Sequence, residues 1–337
     1  ITDSGDITDE SFNQITWETV CAYGDANGVE YEYYKPAEDT DEERINSIDL
    51  AVSEGATVVV MPGYLFGPAI AEEQDTYPDV TFIAVDVTEG DIVKNGKAVD
   101  LGKNVYICSF EEEQAGYLAG YAAVKDGYTS LGFLGGIAVP AVIRFGYGYV
   151  QGINAAAEED GVDVNVKYYY GGQFYGDANI TSRMEGWYSN GTQVVFACGG
   201  GIYTSAVEAA LKNNGYVIGV DVDQNYIGAN GVADGTYAYN PFITSAMKGL
   251  SASVQWACGK VYDGSFDEIG GTFVTLGAKD NAVGLPTATW SLKNFTVEQY
   301  QAELAKIVNG EITVDNNSEM SNPEKAELSN VKVNFVG

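Results

Sequence analysis

The sequence predicts an α/β protein of two doubly wound lobes, each built on a parallel β-sheet. Short apolar runs alternate with amphipathic segments, a pattern typical of parallel strands covered by helices on both faces. The alternation occurs in two consecutive series, which meet near Phe110 and end at Asp221, and each series predicts one doubly wound sheet. The length of 337 residues also exceeds one typical core and fits two domains.

The first series runs from Ile1 to Phe110. It predicts strands over 31–34, 57–61, 81–85 and 105–110, helices over 11–26, 41–53 and 68–74, and a polar hairpin excursion over 89–103. Two capping boxes, the SFNQ stretch from Ser11 to Gln14 and the pair Thr40 and Glu43, predict where the first two helices begin. The first three residues read as the end of a further buried strand whose beginning is absent.

The second series predicts helices over 112–125, 141–158, 178–188 and 204–213, and strands over 131–134, 164–170, 194–198 and 217–220. After Asp221 we expect a long helix over 244–262, a strand over 272–276 and a helix over 296–308. The last segment is expected to add one helix to each lobe. The prediction is an N-terminal lobe of 1–109 plus 243–281 and a C-terminal lobe of 110–242 plus 282–337, joined by a multi-crossover hinge at which ligand closes the lobes.

Composition excludes several classes of function. Seventeen Lys and Arg against 48 Asp and Glu give a net charge of −31. The negative electrostatic potential of such a protein repels phosphate backbones and anionic lipid, so we expect neither nucleic-acid binding nor membrane-surface binding. No run approaches 18 apolar residues, so no membrane-spanning helix is predicted.

Catalytic and metal motifs are absent from the sequence. There is no histidine, which removes the commonest general base and the commonest transition-metal ligand. The four cysteines are far apart, without a CxxC pair, and neither a P-loop nor a GxSxG motif occurs. We therefore predict no catalytic residues, no cofactor and no metal. Hydrolysis by paired carboxylates remains the open enzymatic alternative.

Polar residues and glycines stand where the predicted strands end. Asp3, Asp86 and Asp221 close strands, and glycine-rich stretches with Phe174 and Gly199 follow two strands of the second series. Ligands of open α/β sheets bind beyond these carboxyl ends. Carboxylates accept hydrogen bonds from hydroxyl or N–H groups, aromatic faces stack on flat ligands, and glycine allows close approach. The alternative is that each aspartate only caps the following turn.

Six sequence blocks resemble the basic membrane protein (BMP) family, the substrate-binding lipoproteins of ABC transporters that include purine nucleoside receptors. The blocks occur in the family's order: DSGDITDESFNQ (3–14), FEEEQAGYLAG (110–120), LGFLGG (131–136), VIRFGYGY (142–149), IGVDVDQ (218–224) and TSAMK (244–248). The resemblance implies a type I periplasmic-binding-protein-like fold. It also implies capture of a nucleoside, expected to be a purine nucleoside, in the interlobe cleft and delivery to the permease subunits of an ABC transporter.

The resemblance also implies roles for single residues. Asp3 and Asp86 match carboxylates that hydrogen-bond the base, and Phe12, in the block that opens with Ser11, matches an aromatic that stacks on it beside Asn13. Asp221 and Lys248 match the pair that holds the ribose hydroxyls. Phe174 and Phe196 both remain candidates for the second stacking plate, with Phe196 slightly preferred, and Gly199 is expected in the ligand-binding wall.

Alternatives follow from the same residues. Phe12 could instead anchor the core, and Lys248, expected inside the long helix, could be solvated. The function could be that of a sensory receptor for a flavin or sugar, or of a nucleoside hydrolase. The expected location is extracytoplasmic, at the cell surface or in the periplasm, with a lipid anchor on a segment outside this sequence as the contact with the membrane.

Overall fold

The computed structural model describes residues 1–3 and 5–336 and divides into two compact units. Unit 1 comprises Ile1–Phe110 and Gly249–Leu276, and unit 2 comprises Glu111–Lys248 and Gly277–Gly337. The predicted lobes change at the same three places along the chain but at shifted residues, after 109, 242 and 281, because they assign residues 243–281 to the N-terminal lobe. In the structure the segment up to Lys248, and the chain after Leu276, belong to unit 2.

The helices and strands follow the predicted alternation over most of the chain. The helices are α1 (Phe12–Asn27), α2 (Asp41–Ser53), α3 (Gly67–Thr76), α4 (Glu112–Lys125), α5 (Pro140–Asp160), α6 (Ala178–Ser189), α7 (Tyr203–Asn213), α8 (Asn225–Ala233), α9 (Leu250–Tyr262) and α10 (Val297–Val308). The strands are β1 (Val58–Pro62), β2 (Thr81–Val85), β3 (Val93–Lys94), β4 (Lys97–Ala98), β5 (Val105–Phe110), β6 (Ser130–Gly135), β7 (Val164–Tyr170), β8 (Val194–Cys198), β9 (Tyr216–Asp221), β10 (Phe242–Lys248), β11 (Thr272–Leu276), β12 (Val283–Gly284) and β13 (Val331–Phe335).

Unit 1 is built on a parallel sheet with the strand order β1-β2-β5-β11. Every residue of β5 is buried, because helices cover both faces of a parallel sheet. Helices α1 and α9 pack together, and α2 packs with α3 over a core that contains Met61, Phe66 and Phe82. The predicted excursion is confirmed as the antiparallel hairpin of β3 and β4.

Unit 2 is built on a larger sheet with the strand order β12-β10-β9-β8-β6-β7-β13. Its pairings are parallel except for the short antiparallel pairing of β12 with β10. Helices α4 and α5 pack against each other, and α6 with α7 contribute Met184, Trp187 and Val207 to the core. The parallel strands end at the same edge, so the sheet brings the residues that follow them together.

Three predicted elements are wrong, and the first is the expected strand end over residues 1–3, which form no strand. The segment Tyr31–Tyr34 is not a strand, and the chain from Gly28 to Glu32 lines a cavity of about 680 Å³ together with residues of β1. Asn13 lines this cavity, but Asp3, Phe12 and Asp86 do not.

The predicted long helix 244–262 is instead the strand β10 followed by α9. Ile243 and Thr244 are β-branched, and β9 offers β10 a parallel partner, with Thr244 opposite Ile218. Three elements were not predicted: the helix α8, the short strand β12 and the strand β13, which pairs with β7. No helix among the described residues is long and apolar enough to cross a membrane.

Candidate functional site

The ends of β1 and β2 bring the first candidate residues of unit 1 together. Gly63 follows β1 with φ +108°, and its amide donates to Val85 O at 2.8 Å, which ties the two strand ends. A methyl group at Gly63 would lie 3.1 Å from Asp3 Oδ2 and 3.5 Å from Phe12 Cε1. The carboxylate and the aromatic ring therefore both lie against this glycine. A glycine is needed at position 63 because the backbone φ is positive there and because Asp3 and Phe12 leave little room for a side chain.

The carboxylate of Asp9 organises the start of α1. It accepts hydrogen bonds from the amides of Ser11, Asn13 and Gln14, each at 3.0 Å. Ser11 is buried at the N-cap, but the capping acceptor is Asp9 rather than the predicted Ser11 side chain. This arrangement holds Phe12, which is partly exposed, in the first turn of the helix.

Asn13 links this helix start to Asp3. Its side-chain oxygen accepts a hydrogen bond from the amide of Asp3 at 3.2 Å, and its side-chain nitrogen donates a hydrogen bond to Asp9 at 3.0 Å. The Asp3 carboxylate in turn accepts from the amide of Gly5 at 2.8 Å. Burial raises the pKa of Asp3 to about 6, against the lowering effect of these hydrogen bonds.

Asp86 directly follows β2 in a strained backbone conformation, with φ +63°. A left-handed conformation of a residue other than glycine costs about 1–3 kcal/mol and occurs most often at functional sites. Val87 donates to Cys108 O at 3.0 Å, so the strained turn is attached to β5. Burial, with the neighbouring Asp86 charge, raises the pKa of the Cys108 thiol to about 12.

Asp221 repeats the same feature in unit 2. It is the last residue of β9, is 5% exposed, and has φ +66°. Lys248 is the last residue of β10 and is 7% exposed, so its predicted place inside a helix is wrong, and the alternative of a solvated lysine is not supported. Met247 pairs with Asp221 in the parallel register, and Lys248 Nζ lies 3.5 Å from Asp221 Oδ1. The structure thus brings both predicted residues together.

Gln224 supports the turn that carries Asp221, a role that the sequence did not predict. Its side chain is fully buried and accepts from the amide of Val220 at 3.1 Å. Its own amide donates to Ser245 Oγ at 3.1 Å, which attaches the turn to β10. A methyl group at Gly219 would lie 2.6 Å from both side-chain oxygens, Gln224 Oε1 and Ser245 Oγ.

Phe174 lies in the loop after β7, against two glycines. A methyl group at Gly136 would lie 2.4 Å from Phe174 Cδ1, and one at Gly199 would lie 2.8 Å from the same atom. Gly199 also has φ +139°, where other residues are strained. The ring is only partly buried, so part of its surface remains accessible in this unit.

Phe196 is fully buried inside β8, and the preference for it as the second stacking plate is corrected. Its ring makes edge-type contacts with Phe133, Phe145 and Tyr149, at centroid distances of 5.4, 6.0 and 5.3 Å. A ring enclosed by other aromatic rings supports the core and offers no free face. Phe174 is therefore the better candidate.

Two charged residues near Lys248 were also not predicted. Glu112 approaches Lys248 Nζ at 3.9 Å and receives a hydrogen bond from Arg144. Both stand in blocks that carry the family resemblance, but residue pattern alone indicates no role. Within residues 1–3 and 5–336, no group of three or more Cys, Asp or Glu side chains is arranged to hold a metal ion.

Comparison with known proteins decides the family. The model of the family described as Bmp, ABC transporter substrate-binding protein PnrA-like, matches residues 1–318. The chain belongs to the Bmp family. The family resemblance predicted from the sequence is thereby confirmed.

Relatives and solved structures agree with this assignment. This Bmp-family chain is 30% identical over 329 residues to the ABC transporter nucleoside-binding protein BmpA of Lactococcus lactis subsp. cremoris (strain MG1363), covering 93% of this chain and 87% of that protein. It is 29% identical over 282 residues to basic membrane protein B of Borreliella burgdorferi (strain ATCC 35210 / DSM 4680 / CIP 102532 / B31), covering 82% and 74%.

A solved ABC transporter solute-binding protein of Aeropyrum pernix K1 has a TM-score of 0.77 at 20% identity, covering 97% of this chain and 95% of that one. This likeness confirms the predicted periplasmic-binding-protein fold. As a Bmp-family member the protein is a substrate-binding component of an ABC transporter. It binds a small molecule outside the cytoplasm and works with a membrane permease.

Proposed function

We propose that this Bmp-family protein binds a purine nucleoside and releases it to its permease unchanged. The observation that carries the proposal is the pair Asp221 and Lys248, with 3.5 Å between Oδ1 and Nζ at the ends of two adjacent strands. A carboxylate beside an ammonium offers acceptors and donors that match vicinal hydroxyl groups. The Lactococcus relative, named a nucleoside-binding protein, supports the same ligand class.

The family resemblance assigns the base to Asp3, Asp86 and Phe12, and Phe174 is the proposed second stacking ring. Asp3 and Asp86 are acceptors for base N–H groups, and Phe12 and Phe174 are the stacking rings. Stacking on an aromatic ring contributes about 1–3 kcal/mol per base. Phe12→Ala should therefore weaken nucleoside binding roughly tenfold to a hundredfold, with a smaller effect on the stability of the unliganded protein.

Titration calorimetry with inosine, 2′,3′-dideoxyinosine and hypoxanthine tests the ribose assignment. The loss of hydroxyl groups leaves buried polar groups unpaired, which costs about 1–3 kcal/mol. We expect inosine to bind roughly tenfold to a hundredfold more tightly than the other two. Asp221→Asn should remove most of that preference.

Asp223→Asn is the matched control. Asp223 lies two residues from Asp221 but accepts from Thr289 Oγ1 at 2.6 Å and from the amide of Asn225 at 3.1 Å. This variant should keep the ribose preference. Equal affinities of the wild type for all three ligands would contradict the proposed function.

The protein is proposed to act without catalysis. Incubation with inosine should yield neither hypoxanthine nor ribose, and release of the base would establish the nucleoside hydrolase instead. Binding of flavins or sugars in preference to nucleosides, in a thermal-shift screen, would favour the sensory alternative.

We further propose that a lipid anchor attaches the protein to the outer face of the membrane. The support is the resemblance to the BMP lipoproteins and the relative named basic membrane protein B. Labelling of the full-length protein in cells with a radioactive fatty acid tests this. An unlabelled protein in the aqueous fraction would contradict it.

A further inference from the structure

Four charged side chains of unit 2 form a linked set around Lys248, which we call the ion cluster: Glu112, Arg144, Asp221 and Lys248. Arg144 Nε donates to Glu112 Oε2 at 2.7 Å. Lys248 Nζ lies 3.9 Å from Glu112 Oε1 and 3.5 Å from Asp221 Oδ1. The ammonium thus lies within 4 Å of two carboxylates that come from different elements, α4 and β9.

The ion cluster is withdrawn from water. The Glu112 side chain is fully buried, that of Lys248 is 4% exposed and that of Arg144 is 15% exposed. The two cations and two carboxylates sum to zero charge. Because removal of one partner from a buried ion pair leaves an uncompensated charge, the positions of these side chains depend strongly on one another.

The distances within the cluster indicate what Glu112 does. A charge-assisted N–H···O bond is about 2.7–2.9 Å long, and the 3.5 Å between Lys248 and Asp221 exceeds it. Glu112, on α4, attracts the same ammonium at 3.9 Å. Lys248 Nζ also lies 5.6 Å from the centroid of the Phe145 ring, which adds a cation–π attraction.

We propose that Glu112 is a positioning residue that acts through Lys248 and sets the preference for ligand hydroxyl groups without touching the ligand. It shares the ammonium with Asp221, and loss of its charge would leave Asp221 as the nearer carboxylate of this pair for Lys248. Arg144 neutralises one side of Glu112 and keeps it in place. This inference rests on the proposed assignment of Asp221 and Lys248 to the ribose.

Glu112→Gln tests the inference because it keeps the shape of the side chain and removes its charge. We expect the ammonium to close on Asp221 and to occupy an acceptor that the ribose needs. The ratio of inosine affinity to 2′,3′-dideoxyinosine affinity should fall at least fivefold, whereas the affinity for hypoxanthine should change less than twofold. A merely structural defect would lower the affinity for all three ligands by similar factors.

Glu303→Gln is the matched control. Glu303 is also buried in unit 2, accepts from Tyr117 Oη at 3.0 Å and pairs with Lys306 at 2.7 Å, but it lies outside the ion cluster. This variant should keep the wild-type affinity ratio. Glu112→Asp retains the charge and should recover part of the ratio, and it provides the comparison if Glu112→Gln does not fold.

The outcomes separate the two claims. Two outcomes would overturn the role of Glu112 but leave the ribose assignment intact. In the first, Glu112→Gln keeps the wild-type ribose preference. In the second, Glu112→Asp and Glu303→Gln lose that preference equally. Equal wild-type affinities for inosine and its dideoxy analogue overturn the ribose assignment and, with it, this inference.

Discussion

Asp3 is the candidate site residue whose charge depends most directly on burial. Its pKa is raised from 3.8 to about 6 by desolvation, while Arg44 and the hydrogen bonds from Gly5 and Asn13 act in the opposite direction. The folded chain therefore binds this proton more tightly than the unfolded chain. The contribution of Asp3 to stability is greatest below about pH 4 and declines as the pH rises through about 6.

The same shift predicts how ligand binding responds to pH. A base N–H group donates to the ionised carboxylate, so the affinity for inosine should rise by roughly tenfold between pH 5 and pH 7. Calorimetric titrations across this range measure it. Asp3→Asn should lose the pH dependence, whereas Asp6→Asn, in an exposed ion pair with Lys35, should retain it. A pH-independent wild type would contradict the role of Asp3.

The two candidate stacking rings differ in what they support. Phe174→Ala removes a partly exposed ring. It should weaken the binding of inosine roughly tenfold or more, with little change in melting temperature. Phe196→Leu alters a fully buried ring and should lower stability by about 1–2 kcal/mol with little change in affinity. Urea unfolding and titration of both variants distinguish the roles. The reverse pattern would restore Phe196 as the stacking residue.

The turn between β9 and α8 shows how local and distant contacts combine at the site. Asp221 would not keep a positive φ without compensating contacts, and Gln224 supplies them by accepting from Val220 N and donating its own amide to Ser245 Oγ. The IGVDVDQ block therefore encodes a turn as well as the aspartate that we propose as a ligand-binding residue.

Gln224→Ala tests this support. It leaves the buried Val220 amide without its acceptor and should lower the free energy of unfolding by about 1–3 kcal/mol, with a loss of ribose preference. The control is Gln193→Ala, which removes an exposed glutamine that accepts from the amides of Thr129 and Ser130, both at 3.0 Å. Urea unfolding and titration of both variants measure the difference. Loss of stability without loss of preference would limit Gln224 to a structural role.

The net charge of −31 acts on any charged ligand that approaches the protein. The ion cluster adds no compensating positive charge, because its two cations are matched by Glu112 and Asp221. An anionic ligand is therefore disfavoured both on approach and in the site.

Inosine monophosphate should consequently bind at least tenfold more weakly than inosine. Part of the difference should disappear as ionic strength rises from about 0.01 to 0.5 M, because salt screens the long-range repulsion. Titrations of both ligands over this range measure the effect. Tighter binding of the monophosphate would show that the cations of the ion cluster form a phosphate site.

The sequence by itself determined the α/β alternation, the two series of strands and the placement of Asp86 and Asp221 at strand ends. These features depend on local periodicity and on the rule that strand ends of one sheet share an edge. The family blocks added the pairing of Asp221 with Lys248, which the structure places 3.5 Å apart.

Only the tertiary structure decided the conformation of residues 244–248, the choice between the two phenylalanines and the link between Glu112 and Lys248. An apolar segment such as β10 suits a helix or a strand, and the neighbouring β9 selects the strand. Phe196 is enclosed by rings from β6 and α5, and Glu112 reaches a lysine that lies far along the chain. Such contacts arise from packing between distant segments, which local hydrophobic periodicity does not encode.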